Sequence, residues 1–229
     1  MPAGYQTREL SVTVQGVADL RVRLLQDNQQ FSDPAGTAGG LGISSAAWPM
    51  FGQLWPSGAH LAASMAAHVL LPGQRILEVG CGLALASLVG HRRGADITAS
   101  DCHPLVAPFL AANLLLNGLP AMKYRHAEWD GARAPAQGAD ENISQHYELI
   151  IGSDVLYDRD ASTALAAFIA RHATPAGEVW IVDPERGNRP VFTKRLQDIG
   201  YTVTQTLIVS PAGAGAAAYR GRLLRYSRL

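Results

Sequence analysis

The chain has 229 residues, 48% of them hydrophobic and 17% charged, with 19 basic residues balanced by 19 acidic ones. That is globular composition with length enough for one large domain, or one domain with an extension, and it excludes disordered and fibrous classes. A formal net charge of zero implies no strongly basic face for nucleic acid, two cysteines (Cys81 and Cys102) make no disulfide framework, and the seven histidines do not fall at zinc-ligand spacings, so no metal site is expected.

The first residues, MPAGYQTREL, lack the basic start and apolar run of a signal peptide, and no apolar stretch reaches the length of a membrane span. A cytoplasmic protein is the expectation. Residues 10–14 (LSVTV) and 20–25 (LRVRLL) alternate in polarity around a turn-like QGVAD, which predicts a β-hairpin. Residues 26–53 are rich in Asp, Gly, Ser and Ala and read as an irregular connector. Pro56 suits the first turn of a helix, with Leu61, Met65 and Val69 on one face, ended by Leu71-Pro72-Gly73.

From there strand and helix alternate. Residues 75–79 (RILEV), 95–100 (ADITAS), 122–127, 147–153 (YELIIGS) and 178–182 (EVWIV) read as strands. Residues 83–93, 104–117, 160–172 and 191–199 read as helices, several stopped by glycine. Residues 130–146 form a polar loop. Two long strands, 201–210 and 219–227, close the chain around PAGAGAAA, a small-residue loop expected to be mobile.

This alternation predicts an α/β fold: a Rossmann-like, seven-stranded, mostly parallel sheet with helices on both faces. The last two strands have no helix between them and predict a C-terminal antiparallel hairpin. The expected division is an N-terminal extension, residues 1–52, followed by the α/β domain, residues 53–229.

In open α/β sheets ligands bind beyond the carboxyl ends of the strands, where strand order reverses. After the first strand of the domain stands Glu78-Val79-Gly80-Cys81-Gly82. Gly80 and Gly82 allow a tight turn with close backbone approach, and the following helix offers free N–H groups to a carboxylate. Glu78 lies where a cationic sulfonium would sit. Asp101 ends the next strand about twenty residues on, where a carboxylate binds ribose hydroxyls. Trp129, after the third strand, can cover one adenine face, with Glu128 beside it. A nicotinamide-dependent oxidoreductase is the rival, but its third glycine would fall at Leu85, and it gives Glu78 no task.

Three segments carry a family resemblance: Gly52 to Ser57 (GQLWPS), Ile76 to Leu88 (ILEVGCGLALASL) with Asp101 following, and Ser153 to Tyr157 (SDVLY). Together they resemble the seven-strand protein lysine methyltransferases (methyltransferase family 16) and their bacterial relatives. The resemblance implies S-adenosylmethionine as cofactor and S-adenosylhomocysteine as product. It places Trp55, Gly80, Gly82, Asp101 and Trp129 on the cofactor, and Asp154 and Tyr157 where the methyl group meets its acceptor. With their neighbours, the cofactor candidates are Trp55, Glu78, Gly80, Cys81, Gly82, Asp101, Cys102, Glu128, Trp129 and Ser153. Ala84 departs from the family's usual glycine. Asp183-Pro184-Glu185-Arg186 looks more like the bacterial and small-molecule N-methyltransferase members.

The expected function is N-methyl transfer to a protein lysine. The alternatives are a small-molecule acceptor or a non-catalytic cofactor-binding scaffold. Asp154 has a second reading, as the carboxylate that starts the helix after Tyr157. Arg186 and Arg189 read as a solvated rim, and Arg220, Arg222, Arg225 and Arg228 as an exposed face of the last strand.

Overall fold

The computed structural model describes residues 4–130, 143, 145–213 and 218–228. Most of the polar loop, and the centre of PAGAGAAA, lie outside the described residues. The chain opens with β1 (Thr7–Val12), β2 (Leu20–Leu25), the short helix α1 (Thr37–Leu41) and a 3-10 turn (Trp48–Gly52). The α/β core follows as α2 (Pro56–Ala67), β3 (Arg75–Val79), α3 (Leu85–Arg92), β4 (Asp96–Asp101), α4 (Val106–Leu116) and β5 (Lys123–His126). Its second half is β6 (Tyr147–Ser153), α5 (Arg159–His172), β7 (Ala173–Asp183), α6 (Arg189–Asp198), β8 (Thr202–Ser210) and β9 (Tyr219–Ser227).

Seven strands form one sheet in the order β5-β4-β3-β6-β7-β9-β8. The first five run parallel, and β9 lies antiparallel between β7 and β8. Strands covered on both faces need apolar residues at successive positions rather than at alternate ones. Ile76 and Leu149 join the core on one face, while Leu77 and Ile150 join it on the other, all four fully buried. The strand order reverses at β3, with β4 on one side and β6 on the other, so the crevice for a ligand opens at the carboxyl ends of these strands.

The hairpin forms a separate two-stranded sheet. Its β2 edge is closed by two asparagines four residues apart, Asn113 of α4 and Asn117 at that helix's C-terminal cap. Asn113 Oδ1 accepts from Arg23 N–H at 2.7 Å, and Asn113 Nδ2 donates to Arg23 O at 3.3 Å. Asn117 repeats the pattern on Arg21, at 3.0 and 2.7 Å. The two side-chain amides take the place of a neighbouring strand, satisfying backbone groups that would otherwise stand as an open edge.

Four expectations change in detail, the first being that the hairpin's opening strand, expected at 10–14, runs Thr7–Val12. The helix from Pro56 ends at Ala67 because His68 is extended, its ring bound to Gln74 Oε1 at 2.8 Å, so Val69 leaves the predicted face and is 73% exposed. The connector is not wholly irregular: it contains α1 and the 3-10 turn, anchored by buried Trp48 and Phe51. Strand β7 begins at Ala173, ahead of the expected Glu178, because Ala173 already pairs with Tyr147 before a register shift. Among the described residues, no helix is long and apolar enough to cross a membrane.

Candidate active site

The turn between β3 and α3 is shaped by two glycines with left-handed backbone, Gly80 at φ 58° and Gly82 at φ 49°. A Cβ on Gly80 would stand 2.9 Å from Val155 Cγ1 and 3.4 Å from Trp129 Cζ2; one on Gly82 would stand 2.9 Å from Phe51 O. Both positions therefore require glycine for space as well as for conformation. Ala84 takes the same left-handed region at φ 58° with its methyl buried, so the departure from glycine is absorbed without closing the turn.

The two carboxylates predicted from the strand ends have defined partners. Glu78 is buried, and its Oε2 accepts from the N–H of Ser87 at 2.8 Å and from the Ser87 hydroxyl, which ties it to the first turn of α3. Burial raises its carboxyl to about 7, with the Ser87 hydrogen bonds acting the other way. Asp101 accepts from Gly82 N–H at 2.9 Å and from His103 N–H at 2.9 Å, one on each oxygen. Each oxygen keeps a second lone pair. Burial raises this carboxyl too, opposed chiefly by the Gly82 N–H. The Cys81 thiol is pushed well above its ordinary value by burial, which disfavours the nucleophilic thiolate.

Every expected site residue, from Trp55 to Tyr157, lines one cavity of about 870 Å³ at the carboxyl ends of β3 to β7. Glu78, Asp101 and Asp154 are spread along it, and Tyr157 stands at its mouth, 60% exposed. The N-terminal segment supplies a wall that the motifs did not announce, including Leu41, Met50 and Phe51. Phe51 stacks on His103 at 4.0 Å, and Trp48 meets the same ring edge-on at 4.3 Å. The two faces hold that imidazole in an apolar slot, and burial lowers it to about 4. Trp55 begins α2 and donates from Nε1 to Met50 O at 3.0 Å, so it joins this wall to the helix.

Asp154, which also lines the cavity, adopts φ 58° directly after β6. It does not start α5, because Asp158 caps that helix by accepting from Asp160 and Ala161 N–H at 2.9 Å each. Arg186 is not a solvated rim residue: its Nη2 donates to Asp154 Oδ1 at 3.0 Å. Burial raises the Asp154 carboxyl, and the nearby Ser57 hydroxyl and Arg186 guanidinium act in the other direction. Arg220 and Arg222 share a side as expected, but both bind Glu185 at 2.9 Å. Arg225 and Arg228 lie over the rings of Trp180 and Tyr201 at 4.6 and 4.7 Å, so the last strand's arginines are not a free face.

The fold and the glycine turn at its switch point define a class I S-adenosylmethionine-dependent methyltransferase. Residues 50–197 match the family model described as lysine methyltransferase, and the chain belongs to that family. The human histone-arginine methyltransferase METTL23 is 27% identical over 137 residues, which is 56% of this chain and 67% of the relative. The calmodulin-lysine N-methyltransferase of Arabidopsis thaliana is 26% identical over 144 residues, 58% of this chain and 45% of the relative. The match to the latter thus spans under half of that relative's length. Among solved structures, ribosomal protein L11 methylase from Lactobacillus delbrueckii subsp. bulgaricus aligns with TM-score 0.57 at 16% identity, over 77% of this chain and 80% of that one. Magnesium protoporphyrin IX methyltransferase from Synechocystis PCC 6803, solved with bound S-adenosylmethionine, aligns with TM-score 0.57 at 18% identity, over 76% and 78%. These likenesses bear on the fold.

The cavity fits the family's cofactor on its own evidence. Its volume is in the range of small-molecule sites, two glycines let the lining turn pack close against Val155, Trp129 and Phe51, and Glu78 and Asp101 reach the cavity from adjacent strand ends.

Proposed function

We propose that the chain transfers a methyl group from S-adenosylmethionine to a lysine of a protein. The observation that carries this reading is the placing of Asp154 and Tyr157 in the same cavity as the glycine turn, with Tyr157 exposed at the mouth. A protein side chain can reach such a mouth from outside. The relatives named for lysine and arginine methylation of proteins support the same substrate class.

The cofactor residues in this proposal are Trp55, Glu78, Gly80, Cys81, Gly82, Asp101, Cys102, Glu128, Trp129 and Ser153. Asp101 would hold the ribose hydroxyls, and Trp129 would offer an aromatic wall to the adenine. S-adenosylmethionine supplies an already activated methyl group, so the protein's part is to position the acceptor. The acceptor amine must be neutral when it attacks, although a free lysine titrates at about 10.4. Asp154 binds the ammonium through a charge-assisted hydrogen bond, Tyr157 walls the alkyl stem, and the ammonium proton leaves to water before the neutral amine attacks.

Residues 53–229 form the catalytic unit in this reading, with residues 1–52 as an extension that walls the cofactor site. The chain works in the cytoplasm as a partner of proteins rather than of nucleic acid, consistent with its free cysteines and zero formal net charge. The test is transfer of labelled methyl from S-adenosylmethionine to candidate proteins, with the product digested to amino acids. Label in methyl-lysine, lost in Asp154→Ala while S-adenosylhomocysteine still binds, is the expected result. Equal loss of turnover and cofactor binding in that variant would contradict the role given to Asp154.

A further inference from the structure

Asp154, which lines the cavity, and Glu185, which precedes the lining Arg186, both adopt left-handed backbone, at φ 58° and φ 61°. That conformation is unfavourable for a residue with a Cβ and persists only where its surroundings hold it. Both are held. Asp154 N–H donates to Val182 O at 3.0 Å. The Glu185 carboxylate is gripped by Arg220 and Arg222 from β9, at 2.9 Å each. Arg186 N–H donates to Oδ2 of the fully buried Asp183 at 3.0 Å.

The outcome of these restraints is the aim of one guanidinium. Arg186 reaches Asp154 Oδ1, with the Asp154 side chain 11% exposed and that of Arg186 32% exposed. Asp154 Oδ2 is buried and makes no hydrogen bond among the described residues. The other charged residues along the cavity, Glu78, Asp101, Glu128, Asp130 and Asp160, are carboxylates, and Arg186 is the only Lys or Arg among the described lining residues. The carboxylate that an acceptor amine has to meet is therefore already neutralised by a cation of the chain itself. Removing that cation without replacement would leave a poorly solvated charge, which is costly.

We propose that Arg186 is a specificity-determining residue that stands in for the acceptor's cation. Its guanidinium holds Asp154 until a side chain with a positive charge of its own takes that place, and neutral or anionic groups leave the pair closed. The exchange of one cation for another keeps the charge of the site constant. Arg186, the more exposed partner, swings toward the mouth. This rests on the methyltransferase reading above.

The test is calorimetric titration of the protein saturated with S-adenosylhomocysteine. The probes are lysine, norleucine (which lacks the side-chain ammonium) and glutamate, each as the Nα-acetyl N-methylamide so that only the side chain carries a charge. Lysine is expected to bind Arg186→Ala about fivefold more tightly than the unaltered protein, because the competing ion pair is gone. Arg186→Lys should fall between the two, and norleucine and glutamate should not distinguish the variants. Equal lysine affinity in all three proteins, or lysine binding to none of them, would overturn the inference. So would a glutamate affinity that depends on Arg186, which would make the guanidinium an anion receptor. If Arg186→Ala no longer takes up S-adenosylhomocysteine, the comparison with Arg186→Lys decides, and equal affinity there overturns the inference as well. Failure of the unaltered protein to bind S-adenosylhomocysteine would instead refute the methyltransferase reading itself.

Discussion

Glu78 shows how a single buried carboxyl lining the cavity carries a stability cost. Its carboxyl is raised to about 7 by burial, against an ordinary value near 4.5. Below about pH 4.5 it is protonated in the folded and unfolded states alike and costs nothing. As pH rises from there to about 7, the unfolded chain ionises first and stability falls; above that window the full cost remains, on the order of 3 kcal/mol. Glu78→Gln keeps acceptors for the Ser87 N–H and hydroxyl while removing the charge. Urea unfolding is expected to show this variant more stable than the parent by roughly 2–3 kcal/mol at about pH 8, and nearly equal to it at about pH 4. Its affinity for S-adenosylmethionine should drop. A stability difference independent of pH would mean that the carboxylate is ionised throughout. The residues that line this cavity at the strand ends were legible in the sequence, because strand ends and glycine turns have local signatures. Arg186 was not, since an arginine four residues past an apolar strand reads as solvated until β6 and β7 are laid side by side.

At the scale of elements, the N-terminal hairpin is held to the domain by α4 and not by the main sheet. Its inward residues, Leu20, Val22, Leu24 and Leu25, share an apolar cluster with α3 and α4. The alternation of polarity was enough to predict the hairpin. Its docking site was not predictable, because two asparagines on a helix are ordinary in sequence and become a strand-like edge only when β2 arrives. Asn113 is fully buried and satisfies both backbone groups of Arg23. Asn113→Ala leaves those groups unpaired, and denaturant titration should show a loss of about 2 kcal/mol. If the midpoint of unfolding does not move, water has replaced the amide and the ladder is not a stabilising feature. The same lesson applies to the segment between the hairpin and α2. Its small polar residues read as a loop, yet Trp48 and Phe51 within it close the slot around His103.

On the scale of the whole molecule, the cavity draws residues from across the chain, from Leu41 to Arg186, so its occupation must stabilise the fold as a unit. A ligand that binds only the folded state at about 100 times its Kd adds about 2.7 kcal/mol. S-adenosylhomocysteine at that excess should raise the melting temperature by several degrees, while NAD should not move it. A shift with NAD and none with S-adenosylhomocysteine would reverse the assignment of the cofactor site.

The sequence by itself determined the alternation of strands and helices, the parallel sheet with its closing hairpin, and the positions of the glycine turn and the two strand-end carboxylates. These follow from local rules: apolar periodicity, the backbone freedom of glycine, and the geometry of a chain leaving a strand. Tertiary structure alone decided which distant groups complete the site. Ser57 at the start of α2 shares a hydrogen bond of 2.9 Å with Tyr219 of the last strand. The guanidinium of Arg186 meets Asp154, and Phe51 O sits where a Cβ on Gly82 would fall. Each of these contacts joins segments far apart in the chain. Their formation depends on the packing of whole elements, which no local run of residues records.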